Sequence, residues 1–192
     1  RFNPTNVEQN IKYISSDQFK GRLPGTLENQ EIATYINTEL KNSGLKPYKG
    51  NEFQNFKVKY PRTIKGSPYL KVSGKDGILI KDFIYSKDFK EDMVNFRTNH
   101  LTFNKSNVTA INNNYIKVST ADGPVIFFVA PNNDLSFRSS FVSGSKYNMY
   151  IMVTNQSLTR LKDLIGKDNT VDCFVPYEVS ETTISNVMGY LE

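Results

Sequence analysis

The hydrophobic period of this chain changes once, near residue 52, and that change constrains the fold more than any other feature. Before it, apolar residues recur three and four apart. After it, they alternate with polar ones. The first spacing marks one face of a helix and the second one face of a strand. The chain must therefore join a helical segment to a β-rich one. Its 192 residues suffice for one domain, or for one and a piece of another. The expected class is α+β: an N-terminal helical segment, then a β-rich domain containing a strand–helix–strand unit.

In the helical part, Asn6 is the predicted cap of a first helix with Val7, Ile11 and Ile14 on one face. Ser15–Phe19 adds a turn. Gly21-Arg22-Leu23-Pro24-Gly25-Thr26 then reads as a loop. Its glycines permit unusual backbone angles, Pro24 fixes one, and Thr26 caps the next helix. Ile32, Tyr35, Ile36 and Leu40 form the buried stripe of that helix, and Gly44 its stop. Arg22 has the fork geometry to clamp a carboxylate or carbonyls. The loop has two readings, a rigid connection between helices or a segment reaching toward an active site built elsewhere.

Strands are expected at Phe53–Tyr60, Tyr69–Val72, Ile78–Phe83, Leu101–Phe103, Asn107–Ile111 and Tyr115–Val118, with Gly, Pro, Asn and Lys turns between them. Pro124–Ala130 is a continuous apolar run, as in a strand covered on both faces. Asp134 is the predicted cap of a short helix carrying Leu135, Phe141 and Val142, followed by a strand at Tyr147–Thr154. Ser157 is expected to cap a helix with Leu158, Leu161 and Leu164, and Val171–Pro176 is a further strand. Residues 179–185 read as a polar turn, and Asn186–Leu191 as a strand just beginning, so the polypeptide is expected to continue.

The chemistry is sparse. One Cys excludes a disulfide framework and a cysteine-based zinc site, and one His excludes a His-rich metal site of the chain's own. Nucleophile elbow, P-loop and dinucleotide fingerprints are absent. His100 sits at the entry to a strand, without triad partners in its sequence neighbourhood. Cys173 lies in an apolar run and reads as a buried thiol. Asp88, Glu91 and Asp92 lie in a lysine-rich stretch and read as a solvated face. Glu178 and Glu181 read as exposed. No apolar run is long enough to span a membrane.

Charge is uneven. Residues 1–96 carry 16 Lys and Arg against 11 Asp and Glu, and the remainder 8 against 8, so the whole excess of +5 lies in the first half. Lys57, Lys59, Arg62, Lys65 and Lys71 form its densest part. They read as a lysine-protected strand edge or as a patch for phosphates or an anionic surface. No nucleic-acid motif accompanies them.

Ile11 through Thr26, with its helix, acidic-aromatic turn and Gly-Arg-Leu-Pro-Gly-Thr loop, resembles the opening of M28-family zinc aminopeptidases. The likeness continues through Ile32–Ile36, Leu40–Pro47 and Phe53–Phe56. Thr182-Thr183-Ile184-Ser185-Asn186-Val187-Met188-Gly189-Tyr190-Leu191 resembles the strand where the peptidase core of that family resumes. Many members carry a protease-associated (PA) domain between those points. Asp122-Gly123-Pro124 and Gly144-Ser145-Lys146 stand where that domain usually has its Gly-Lys entry and Gly-Ala step.

The resemblance implies three parts: residues 1–56 as the N-terminal helical flank, 57–178 as a PA-like β-rich insert, and 179–192 as the return strand. It implies zinc held by residues beyond that strand, a peptide substrate and the remaining peptidase core in cis. It assigns no catalytic or metal-binding residue to this chain. Gly21, Arg22, Pro24, Gly25 and Thr26 are the candidates for a loop beside the active site. The implied setting is the bacterial cell surface or exterior, with no nucleic acid and no transmembrane segment. The competing class is a stand-alone module binding protein or carbohydrate through Tyr69, Tyr85 and Phe89.

Overall fold

Asn3 and Pro4 set where the chain begins to coil. The computed structural model describes residues 3–136 and 138–191. The Asn3 side chain accepts the Thr5 N–H at 3.0 Å, and Pro4, which has no N–H to leave unpaired, follows it. Helix α1 therefore spans Pro4–Ile14, with Asn3 rather than Asn6 as its cap. Its predicted apolar face is largely uncovered, with Val7 43% and Ile11 56% exposed. A short 3-10 turn at Asp17–Phe19 buries Phe19 under the Tyr13 ring, 5.2 Å away edge-on.

Helix α2 spans Leu27–Asn42, and Thr26 caps it as expected. Ile32 is buried, while Tyr35, Ile36 and Leu40 are half-buried. The helix ends where Gly44 takes a φ of +84°, which lets the Gly44 and Leu45 N–H groups reach Lys41 O and Leu40 O. Strand β1 (Lys46–Pro47) pairs antiparallel with the last strand, β13 (Gly189–Tyr190).

Contacts divide the molecule into two units, residues 3–59 with 181–191, and residues 60–180. The chain leaves the first unit and returns to it along one two-stranded ribbon of β2 (Phe53–Thr63) and β12 (Tyr177–Val187).

The second unit holds two sheets. One has the order β5 (Phe89–Phe96), β10 (Met149–Val153), β9 (Gly123–Val129), β8 (Tyr115–Thr120) and β7 (Val108–Ile111). The other has the order β4 (Leu79–Phe83), β3 (Tyr69–Ser73), β11 (Thr170–Phe174) and β6 (His100–Phe103). Among the described strand pairs of these two sheets, only β9 and β10 run parallel, with Val125 opposite Met149 and Val129 opposite Val153.

The inward faces share one core. Leu70, Val72, Val171 and Cys173 from the four-stranded sheet meet Ile116, Val118, Val125 and Phe127 from the five-stranded one. Phe103 and Phe127 meet across the gap, their rings tilted and with centres 5.5 Å apart. Helix α3 (Asn155–Gly166) adds Leu158, Leu161 and Leu164 to the same core. The α+β class thus holds, with helices first and a β-rich body after them.

Several local expectations do not hold. The cap of α3 is Thr154, whose Oγ1 accepts the Ser157 N–H at 3.1 Å, so the helix starts two residues before Ser157. No α-helix lies between β9 and β10 among the described residues. Asn132 and Asn133 take φ values of +53° and +59°, and Asp134 turns its side chain onto the Ser136 N–H. These local bonds compete with helix formation. The helix of the strand–helix–strand pattern is instead α3, between β10 and β11, which lie in different sheets.

Residues 179–185 belong to strand β12 and not to a turn. Beyond Val179 this strand leaves the core, so nothing forces apolar residues to alternate there and its polar sequence hid it. Strand β5 also escaped the sequence pattern, because Glu91 and Asp92 interrupt it.

Candidate functional site

The loop at residues 20–26 is held by its own backbone. Lys20, Gly21 and Arg22 take φ values of +43°, +77° and +56° in succession. The Arg22 N–H reaches Phe19 O at 2.7 Å, closing this left-handed turn. At the far side, Thr26 Oγ1 donates to Leu23 O at 2.9 Å and accepts the Asn29 N–H at 3.3 Å. Asn29 Nδ2 donates to Arg22 O at 3.4 Å, and Lys20 Nζ meets Glu28 Oε1 at 2.9 Å. The hydrogen bond from Lys20 holds the Glu28 carboxyl below the usual range. Both ends of the loop are thus tied to the first turn of α2.

Gly25 docks on the return strand. It has a φ of +82°, and a Cβ there would lie 2.5 Å from Thr182 Oγ1 on β12. The Gly-Arg-x-Pro-Gly-Thr loop and the Thr182 strand, far apart in sequence, are therefore neighbours. The Arg22 side chain is exposed and makes no ion pair among the described residues. We expect Gly25→Ala to lower stability by about 1–3 kcal/mol, combining an unfavourable φ with the contact to Thr182. Urea denaturation checks this, and a change within a few tenths would mean that the close approach is absent.

A second polar cluster lies inside the unit formed by residues 60–180, and it overturns an expectation. Glu91 and Asp92 are 0% and 2% exposed, so they are not a solvated face. Arg138 Nη1 meets Glu91 Oε1 at 2.5 Å, and the Tyr85 hydroxyl donates to the same oxygen at 3.0 Å. Ser139 gives Asp92 two bonds, from its N–H at 2.7 Å and from its Oγ at 2.8 Å. Burial, with the Glu91 charge and hydrogen bond added, pushes the Tyr85 phenol up to about 12. Glu91 Oε2 is buried with no partner among the described residues. These bonds clasp the segment after β9 onto β5.

Neither Tyr85 nor Phe89 is a free contact residue, since Phe89 is fully buried and the Tyr85 hydroxyl is engaged. The signal that sequence reading missed is the apolar frame of Phe89, Met93 and Phe96 around the two acids.

The remaining candidates are modest. His100 Nε2 lies 2.7 Å from Asp172 Oδ1, and Thr102 Oγ1 donates to that oxygen at 3.0 Å, all on an exposed sheet face. Cys173 is fully buried, and burial pushes its thiol up. In the basic stretch, Lys57 pairs with Glu181 at 2.9 Å and Arg62 pairs with Glu178, both across the ribbon. Those two cations are neutralised within the molecule. Among the described residues, no three His, Cys, Asp or Glu side chains come together as a metal-binding group. They do not fit a zinc centre, and no hydrolytic step is assigned to them. No helix among the described residues is long and apolar enough to cross a membrane.

Neither a family model nor a curated protein matches the chain. Solved structures do. An aminopeptidase from Aneurinibacillus sp. strain AM-1 aligns over 98% of this chain and 48% of its own, with a TM-score of 0.53 and 14% identity. A peptidase M28 precursor from Shewanella amazonensis SB2B aligns over 95% of this chain and 52% of its own, with a TM-score of 0.35 and 12% identity. The chain thus spans about half the length of the structures it matches. At such identity the likeness to the first of them is one of fold.

Proposed function

We propose that the chain is the N-terminal flank and inserted β-rich domain of a secreted or surface M28-type bacterial zinc aminopeptidase. The observation that carries this reading is the fold likeness to an aminopeptidase, which runs through 98% of the chain and therefore through both units. The discontinuous first unit supports it, because one stretch of chain leaves and another returns to complete the same body. So does the contact of Gly25 with Thr182, which joins the two segments that carry the sequence resemblance.

In this reading the catalytic zinc is bound by residues outside this chain. The second unit acts by restricting access to the substrate cleft or by holding a partner. The loop of Gly21, Arg22, Pro24, Gly25 and Thr26 borders the cleft, with the Arg22 guanidinium, unpaired among the described residues, available to a carbonyl or carboxylate of the peptide.

The purified chain is expected to release no N-terminal residue from aminoacyl anilides or peptides, with or without added zinc. The polypeptide expressed with the sequence that follows Glu192 in its gene is expected to bind zinc and to do so. Turnover by the pure chain would overturn the reading, as would a gene with no His-x-Asp segment beyond the Asn186–Leu191 strand. In the longer polypeptide, Arg22→Ala should lower kcat/KM by about tenfold at unchanged melting temperature. Unchanged kinetics would remove the loop from the site.

A further inference from the structure

We propose that the open edge of β4, with the groove between it and α3, binds an extended segment of another polypeptide by strand addition. The segment carries apolar side chains along its length and an acidic residue at one end. This rests on the unit of residues 60–180 alone and does not depend on the peptidase reading.

Strand β4 is outermost in its sheet. It has β3 on one side and, among the described residues, no strand on the other. The free side of such a strand offers unpaired N–H and C=O groups to any extended chain. Edges are usually guarded by charge; this one carries Lys81 and an exposed Asp82, but the rest of its exposed side chains are apolar. Ile78, Leu79, Ile80 and Ile84 are 66%, 52%, 45% and 54% exposed. Single exposed aliphatics are ordinary on a soluble surface, whereas four large ones within the seven residues 78–84 make this edge unusually rich in exposed apolar side chains.

Ile84, at the end of this stretch, lines a groove of about 900 Å³ bounded by Phe83 and Ile84 on one side and the first turns of α3 on the other. Its charges decide the chemistry of the occupant. Lys81, Lys87 and Arg160 face it, against Asp88 and Asp163. Both acids are already engaged. Asp88 accepts the Ile84 N–H at 2.8 Å and lies 3.9 Å from Lys81. Asp163 holds Arg160 at 2.8 Å and Lys167 at 3.2 Å. Lys87 has no ion pair among the described residues. The groove is therefore net positive with one cation free, and an acidic side chain at the end of the incoming strand is its complement. Five residues of β4 span roughly 17 Å, so a segment of about five to seven residues covers the edge.

The test is a selection of short random peptides displayed on phage, using the full chain as bait. Enriched sequences are expected to carry apolar residues at alternate positions and Asp or Glu at one end. As synthetic peptides they should bind at least about tenfold more weakly to Ile80→Lys and to Lys87→Glu. Both positions are exposed, so the two variants should melt with the parent. N-methylation at alternate peptide nitrogens should abolish binding in one register.

Three results would overturn the proposal. One is a selection that yields no sequence dependent on Ile80. Another is equal binding of both N-methylated registers, which would mean that no ladder forms. The third is a chain that self-associates and becomes monomeric on Ile80→Lys, which would make the occupant a second copy.

Discussion

Replacing Arg138 with alanine should destabilise the unit of residues 60–180 by about 3–5 kcal/mol. The reason is the state in which Glu91 is left. Its carboxylate is wholly buried and, among the described residues, receives two side-chain donors, the Arg138 guanidinium and the Tyr85 hydroxyl. Its second oxygen already lacks a partner among the described residues. Without Arg138, a buried charge would depend on one neutral hydrogen bond, and the cost of desolvation would no longer be offset. Glu91→Gln in the Arg138→Ala background should recover much of the loss, because an amide carries no charge to strand. Urea midpoints of the four proteins in this cycle measure the coupling. A loss below about 1 kcal/mol for the single variant would sink the idea, since it would mean that water reaches Glu91 freely.

Phe127→Ala should cost a comparable amount, about 3–5 kcal/mol, for a different reason. Phe127 is fully buried in the middle of the five-stranded sheet, and its ring meets Phe103 from the other sheet. Truncation opens a void at the seam where two sheets and α3 share a core, and neighbours on rigid strands can refill little of it. Phe128, next in sequence, points to the opposite face, where it is itself half-buried against a smaller cluster of Ala130, Leu135 and Met152. Phe128→Ala is expected to cost less than half as much. Equal losses at the two positions would mean that the two faces are covered equally, contrary to the observed burial.

These two sites show where sequence legibility ended. The α3 leucines and most strands were visible because each buries one face, and burial is what writes a period into a sequence; α1 shows the same apolar spacing although its face is largely uncovered. Thr26 and Gly44 were visible because caps and stops act locally. Strand β5 was hidden because Glu91 and Asp92 are buried with partners some 47 residues away, in a segment that local pattern cannot connect to them. The chain around Asp134 looked helical by spacing, but left-handed asparagines and the Glu91 and Asp92 clasp decide its path. The ribbon strand at Tyr177–Val187 was hidden for a different reason, since none of its residues is fully buried and only Tyr177 and Val179 at its start pack against the core. At the candidate loop, Thr26 and the need for left-handed glycine were legible. The docking of Gly25 on Thr182 was not, because it joins residues from the two ends of the chain.

The ribbon has a consequence for how such a molecule can be rebuilt. Ile64 N–H reaches Pro176 O at 2.9 Å, so the two ends of the 60–180 body leave it side by side. A body whose ends are adjacent behaves as a cassette. It can be lifted out and the cut closed by a tight hairpin between residues 59 and 181 with little loop-closure cost. By the same geometry, an unrelated domain with neighbouring termini can be spliced into the gap, with the Lys57–Glu181 pair below it left in register.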